Sequence, residues 1–135
     1  MSQSPDLQLL VPARAENVAV VRHAFGGLAD ALDLPDQIAA DIKLAVTEAC
    51  TNVVLHAYTE DDGPLEVDAT ISDEELVIVV RDRGAGIHPR PDSPGLGLGL
   101  PLIATLSQSL ELEGGSADHP TEVRMTFGLT GTQAA

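Results

Sequence analysis

Glu48-Ala49-Cys50-Thr51-Asn52-Val53-Val54-Leu55-His56-Ala57-Tyr58 is the stretch on which the reading of this chain turns. Upstream of it Ile38, Ile42, Val46, Ala49 and Val53 recur at helical spacing, so one long helix runs into it, with Pro35 suited to the first turn. Each helical residue turns by about 100°. Glu48 and Asn52, four apart, therefore share a face at the margin of the apolar stripe and look into a cleft. An asparagine oxygen there can ligate Mg²⁺, which prefers hard oxygen ligands and is held by few protein groups. A glutamate one turn earlier can accept a proton from an attacking hydroxyl. An isolated pair of this kind is more often two ordinary polar helix residues, so its meaning depends on the segments downstream of it.

Two such segments stand out. Asp82-Arg83-Gly84-Ala85-Gly86-Ile87 comes directly after an apolar run, residues 76 to 80, that reads as a strand. Gly95-Leu96-Gly97-Leu98-Gly99-Leu100 precedes a short helix expected over residues 99 to 106, with Pro101 in its first turn. Free amides and the helix dipole at such an end favour phosphate. Alone, the first segment is a common turn composition and the second a flexible linker. In this order, together with the Glu48/Asn52 helix, they outline a nucleotide pocket.

These three segments resemble the N, G1 and G2 boxes of the Bergerat ATP-binding fold shared by gyrase, the heat-shock chaperone ATPase, histidine kinases and mismatch-repair ATPases. The longer wording, LAVTEACTNVVLHAY followed by DRGAGI and GLGLGLPLI, is similar to that of the small anti-sigma-factor serine/threonine kinases. The resemblance spans roughly residues 7 to 129. It implies an α/β (α+β) two-layer sandwich, a mixed, mostly antiparallel sheet covered on one face by helices. It implies Glu48 as catalytic base, Asn52 as Mg²⁺ ligand and Asp82 as acceptor from the exocyclic amine of adenine. Gly84, Gly86 and Ile87 would line the base, Arg90 would sit in a lid, and Gly95, Gly97, Leu98, Gly99 and Leu100 would surround the phosphates of ATP. His56 matches the histidine of the N-box wording but reads as structural. Kinases of this type often place a basic residue just before the second glycine box, where this chain has Ser93-Pro94. Either Arg90, the nearest cation, meets the γ-phosphate, or that contact comes from elsewhere.

The remaining sequence is consistent with one domain. The chain has 135 residues with only Phe25, Phe127 and Tyr58 aromatic, so a core of Val, Leu, Ile and Ala is expected. A first strand over residues 7 to 11 ends at Pro12, which suits a sheet edge. A helix over residues 15 to 32 carries Val18, Val21, Ala24, Phe25 and Leu28 at helical spacing, weakened in its middle by Gly26-Gly27. Residues 65 to 71 and 75 to 81 read as a hairpin, and 109 to 113 and 121 to 129 as two closing strands. Pro89, Pro91 and Pro94 with the intervening glycines make residues 84 to 99 a loop, and 131 to 135 a frayed tail.

Composition excludes several classes. A formal net charge of −14 with Lys43 the single lysine leaves no basic run for a nucleic-acid backbone. Cys50 is the only cysteine, which rules out an internal disulfide and a cysteine metal cluster. There is no GK[ST] phosphate loop, no G-x-S-x-G elbow, and no metal-ligand spacing among the histidines. Residues 1 to 16 lack a signal peptide and no stretch reaches transmembrane length, so a cytoplasmic protein without membrane contact is expected.

The function that the resemblance implies is a protein serine/threonine kinase acting as an anti-sigma factor. It would phosphorylate a STAS-type anti-anti-sigma antagonist, sequester a sigma factor, and form a homodimer with the first strand and first helix as contacts. A non-catalytic module that uses ATP to order its lid is the alternative. A histidine-kinase catalytic domain is a further one, requiring its phosphoacceptor helices on a separate chain. Topology and repair ATPases need a following transducer domain for which 135 residues leave no room.

Overall fold

In the order of the chain the elements are β1 (Leu7–Pro12), α1 (Ala15–Ala31), α2 (Asp36–His56), β2 (Pro64–Ile71), β3 (Glu75–Asp82), α3 (Leu96–Leu106), β4 (Ser109–Glu113) and β5 (Thr121–Gly128). The computed structural model describes residues 4–58, 62–84, 96–114 and 121–129, and for 96–99 the backbone alone. The strands form one five-stranded sheet in the order β1-β2-β3-β5-β4. Every pairing in it is antiparallel. β1 is an edge strand, a position that suits its terminal proline.

Alternation along the three inner strands builds the core in rows. The register sets Ile71, Leu76 and Phe127 side by side, then Ala69, Ile78 and Met125, then Val67, Val80 and Val123. All but Ile71 are buried. Fully burying side chains of this size contributes roughly 1.5–3 kcal/mol each. The helices cover this face. α2 touches β3 and β5 and lies between α1 and α3, so it is the element on which the layer depends. Its predicted stripe, Ile38, Ile42, Val46, Ala49 and Val53, is buried throughout, joined by Ala45 and Cys50.

The turn from α1 into α2 is set by the backbone hydrogen bonds at a helix end. Asp33 takes a left-handed φ of 53°, which a short polar side chain tolerates. The amides of Leu34 and Asp33 then reach back to the carbonyls of Ala29 and Asp30, capping α1 and reversing the chain within a few residues. On the face of the sheet away from the helices, Arg81 bonds Asp68 on β2 and Glu122 on β5. This ties three strands together one residue before Asp82.

The structure corrects one boundary. α3 begins at Leu96, inside the second glycine segment, not at Gly99, so Gly97, Leu98 and Gly99 are helical and Pro101 lies inside the helix, not in its first turn. A glycine in a helix costs about 1 kcal/mol relative to alanine. Burial outweighs that: Ile103 is fully buried, and Leu100 and Leu106 pack against the core at helical spacing. Most of the expected 84–99 loop, and the 131–135 tail, lie outside the described residues. Among the described residues no helix is long and apolar enough to cross a membrane.

Candidate nucleotide site

The row after Val67, Val80 and Val123 breaks the pattern. It consists of Leu65, Asp82 and Thr121, so two polar side chains stand on the face where the core places apolar ones. Asp82 is 2% exposed and Thr121 5%. Asp82 Oδ1 accepts the N–H of Gly84 at 2.9 Å, and burial pushes its carboxyl above the usual range, with that hydrogen bond pulling the other way. The Thr121 hydroxyl is buried without a hydrogen-bond partner among the described residues. Buried polar groups are nearly always paired, so an orphan here marks a place where a ligand can complete the set.

A second orphan lies on α2. Asn52 is 3% exposed and its Nδ2 has no partner among the described residues. Glu48, one turn earlier, is half-buried. The end of α2 is locked to the exit of β3 by backbone contact, because a Cβ at Gly84 would overlap the Ala57 carbonyl. That contact brings the helix bearing Glu48 and Asn52 against the strand end bearing Asp82.

α3 supplies the third wall by packing on α2. Its first four amides, from Leu96 to Gly99, have no carbonyl within the helix to bond, and they point out of its N-terminus. Gly97 and Gly99 are thus placed in the first turn. Leu100 is partly buried against the core. Gly86, Ile87, Arg90 and Gly95 lie outside the described residues.

Some residues play other parts. His56, in the last turn of α2, keeps Nε2 buried and without a partner among the described residues. Burial pushes the Cys50 thiol up to about 12, which makes it an inert core residue. Sequence reasoning gives Tyr58 no part in the site, yet its hydroxyl bonds both Pro64 and Arg83 beside it. Thr121 is likewise missed. Its signal is present: it is in phase with buried Val123, Met125 and Phe127, a polar residue at an apolar position of an alternating strand.

The oxygen and amide donors fit Mg·ATP. The Asn52 side-chain oxygen is of the type that completes a mostly phosphate- and water-bound Mg²⁺, and its buried Nδ2, without a partner among the described residues, is a donor that a ligand oxygen can satisfy. Asp82 and Thr121 together offer hydrogen-bonding oxygens at the end of the β3–β5 ladder, and α3 offers amides for phosphate.

The histidine kinase-like ATPase domain, as a family, matches residues 11–127. The chain is 32% identical to a protein named serine-protein kinase RsbW from Bacillus mycoides, over 83% of this chain and 79% of that relative. In fold it is similar to the structure of the RsbU and RsbW domains of a Mycobacterium tuberculosis protein, with a TM-score of 0.69 and 22% identity. That likeness covers 93% of this chain, which spans only 33% of the longer one. It is also similar to the histidine kinase domain of a blue-light activated histidine kinase from Erythrobacter litoralis. There the TM-score is 0.60 at 20% identity, covering 96% of this chain and 66% of that one. The chain therefore belongs to the histidine kinase-like ATPase domain family, of Bergerat fold, and is RsbW-like within it.

Proposed function

We propose that this protein is an Mg·ATP-dependent serine/threonine kinase that phosphorylates a STAS-fold anti-anti-sigma protein and, as a homodimer in the cytoplasm, sequesters a sigma factor. The observation that carries the reading is the polar row end, Asp82 beside Thr121, facing a helix whose Asn52 amide is also unpartnered among the described residues. An apolar sheet face that ends in a buried carboxylate beside a hydroxyl without a partner among the described residues suits a ligand with a flat apolar body and a polar edge, and adenine is one.

In this reading Asp82 accepts from the adenine amine, and the Thr121 hydroxyl lies next to it. The first-turn amides of α3 hold phosphate oxygens. Asn52 would hold Mg²⁺, which when bound supplies charge neutralisation and orientation of the phosphates. Glu48 receives the proton of the partner's serine hydroxyl as its oxygen bonds the γ-phosphorus and the bond to the β-phosphate oxygen breaks, leaving ADP. Phosphoryl transfer asks mainly for positioning and charge stabilisation, which these groups can provide.

The absence of a basic residue at Ser93-Pro94 favours one second reading, a module in which ATP only orders the partner-binding state. Incubation with γ-labelled ATP and a STAS-fold partner separates the two. The kinase reading expects acid-stable label on a partner serine. ATP binding with no transfer would leave the switch reading, and acid-labile label would indicate histidine chemistry.

A further inference from the structure

Tyr58 is the only tyrosine of the chain, two residues beyond the end of α2. Its hydroxyl accepts the N–H of Arg83 at 2.8 Å and donates to the Pro64 carbonyl at 2.6 Å. The β2–β3 ladder ends where Leu65 faces Asp82, so this oxygen joins the two strands one step further on. Pro64 has no N–H with which to continue the ladder. The ring is seated against Gly63, where a Cβ would overlap it.

The hydroxyl therefore holds the peptide that leads from Asp82 into Arg83. Gly84 is the residue whose N–H bonds Asp82 Oδ1, and whose Cα abuts the Ala57 carbonyl next to Tyr58. A short circuit results: Tyr58 holds the Arg83 N–H of the peptide that follows Asp82, and the next N–H, that of Gly84, turns back onto the Asp82 carboxylate.

We propose that Tyr58 is a positioning residue for nucleotide recognition: by fixing the Asp82–Arg83 peptide it holds the turn whose Gly84 N–H bonds the Asp82 carboxylate, and so aims the oxygen left free by Gly84 at the base. The proposal rests on the reading of Asp82 as the adenine contact. It explains why a polar tip is needed at the end of α2. A phenylalanine would fill the same space without holding the peptide.

The test is a double-mutant cycle in Mg·ATP affinity, measured calorimetrically up to millimolar nucleotide on wild type, Tyr58→Phe, Asp82→Asn and the double variant, each checked by its melting temperature. Tyr58→Phe keeps the ring, melts as a folded protein, and is expected to bind ATP three- to tenfold more weakly. In the Asp82→Asn background the same change is expected to alter affinity less than twofold, since groups acting through one another are not additive. Wild-type affinity for Tyr58→Phe, or an equal loss in both backgrounds, overturns the positioning role while leaving Asp82 in place. Wild-type affinity for Asp82→Asn removes the reading of Asp82 itself, and the proposal with it.

Discussion

Asp82 and Thr121 are direct cross-strand partners in the β3–β5 ladder, both buried, and the threonine hydroxyl has no hydrogen-bond partner among the described residues. A buried hydroxyl without a partner is a standing penalty of about 1–3 kcal/mol. A ligand that bonds this hydroxyl would relieve it.

Thr121→Val tests this relationship directly. The swap keeps shape and removes the unsatisfied hydroxyl, so the free protein should melt at the same temperature or higher. ATP affinity should fall by about 1 kcal/mol, roughly fivefold, the net worth of a neutral hydrogen bond. Calorimetric titration against ATP, beside a thermal scan, checks both halves; unchanged affinity would place Thr121 outside the site.

For Asp82→Asn, function and stability should move in opposite directions. Losing a charge-assisted hydrogen bond should weaken ATP by about 1.5–3 kcal/mol, tenfold to over a hundredfold. Burial raises the Asp82 carboxyl above its ordinary 3.8, so the folded state holds the proton more tightly than the unfolded chain. The stability from that proton is present below pH 3.8 and is lost as pH rises through the folded value. At pH 7 the wild type carries a buried carboxylate that the asparagine variant lacks. The nucleotide-free variant should thus melt higher at pH 7, with its advantage shrinking in acid. Melting curves across that pH range decide the matter.

Glu48 and Asn52 should separate chemistry from binding. Glu48→Ala is expected to keep nucleotide and lose transfer by roughly 10²- to 10⁴-fold, the span of general-base catalysis. Asn52→Ala should lose the Mg²⁺-dependent part of ATP affinity as well as transfer. Single-turnover phosphorylation combined with titrations with and without Mg²⁺ distinguishes these patterns. A Glu48 variant that phosphorylates at the wild-type rate would refute the assignment of the base.

Two glycines should respond to alanine in opposite ways. At Gly84 a methyl would meet the Ala57 carbonyl, a backbone atom that cannot step aside, so the variant should lose about 1–3 kcal/mol and weaken ATP binding. At Gly27, exposed inside α1, no atom of the described residues stands within 4 Å of the added methyl, and helix propensity should raise stability by about 1 kcal/mol. Denaturant unfolding of the two variants gives both signs.

The α2 stripe from Ile38 to Val53, the hairpin around Ser72, and the order of the three nucleotide-box segments could all be read in one dimension. Each is a local regularity: a helix buries every third or fourth residue and a strand every second, so the pattern of apolar side chains declares the element. The same local chemistry nominated Glu48, Asn52 and Asp82. It misplaced the start of α3, because a glycine's helix penalty is local whereas the burial of Ile103 that overrides it belongs to the whole core. Nor could it pair Asp82 with Thr121, or set the Tyr58 hydroxyl between Pro64 and Arg83. Those relationships join residues far apart in the chain, and they exist only once β5 has been placed beside β3 and the end of α2 beside Gly84. Strand order and register minimise the free energy of the packed sheet as a whole, and no window of sequence contains that sum.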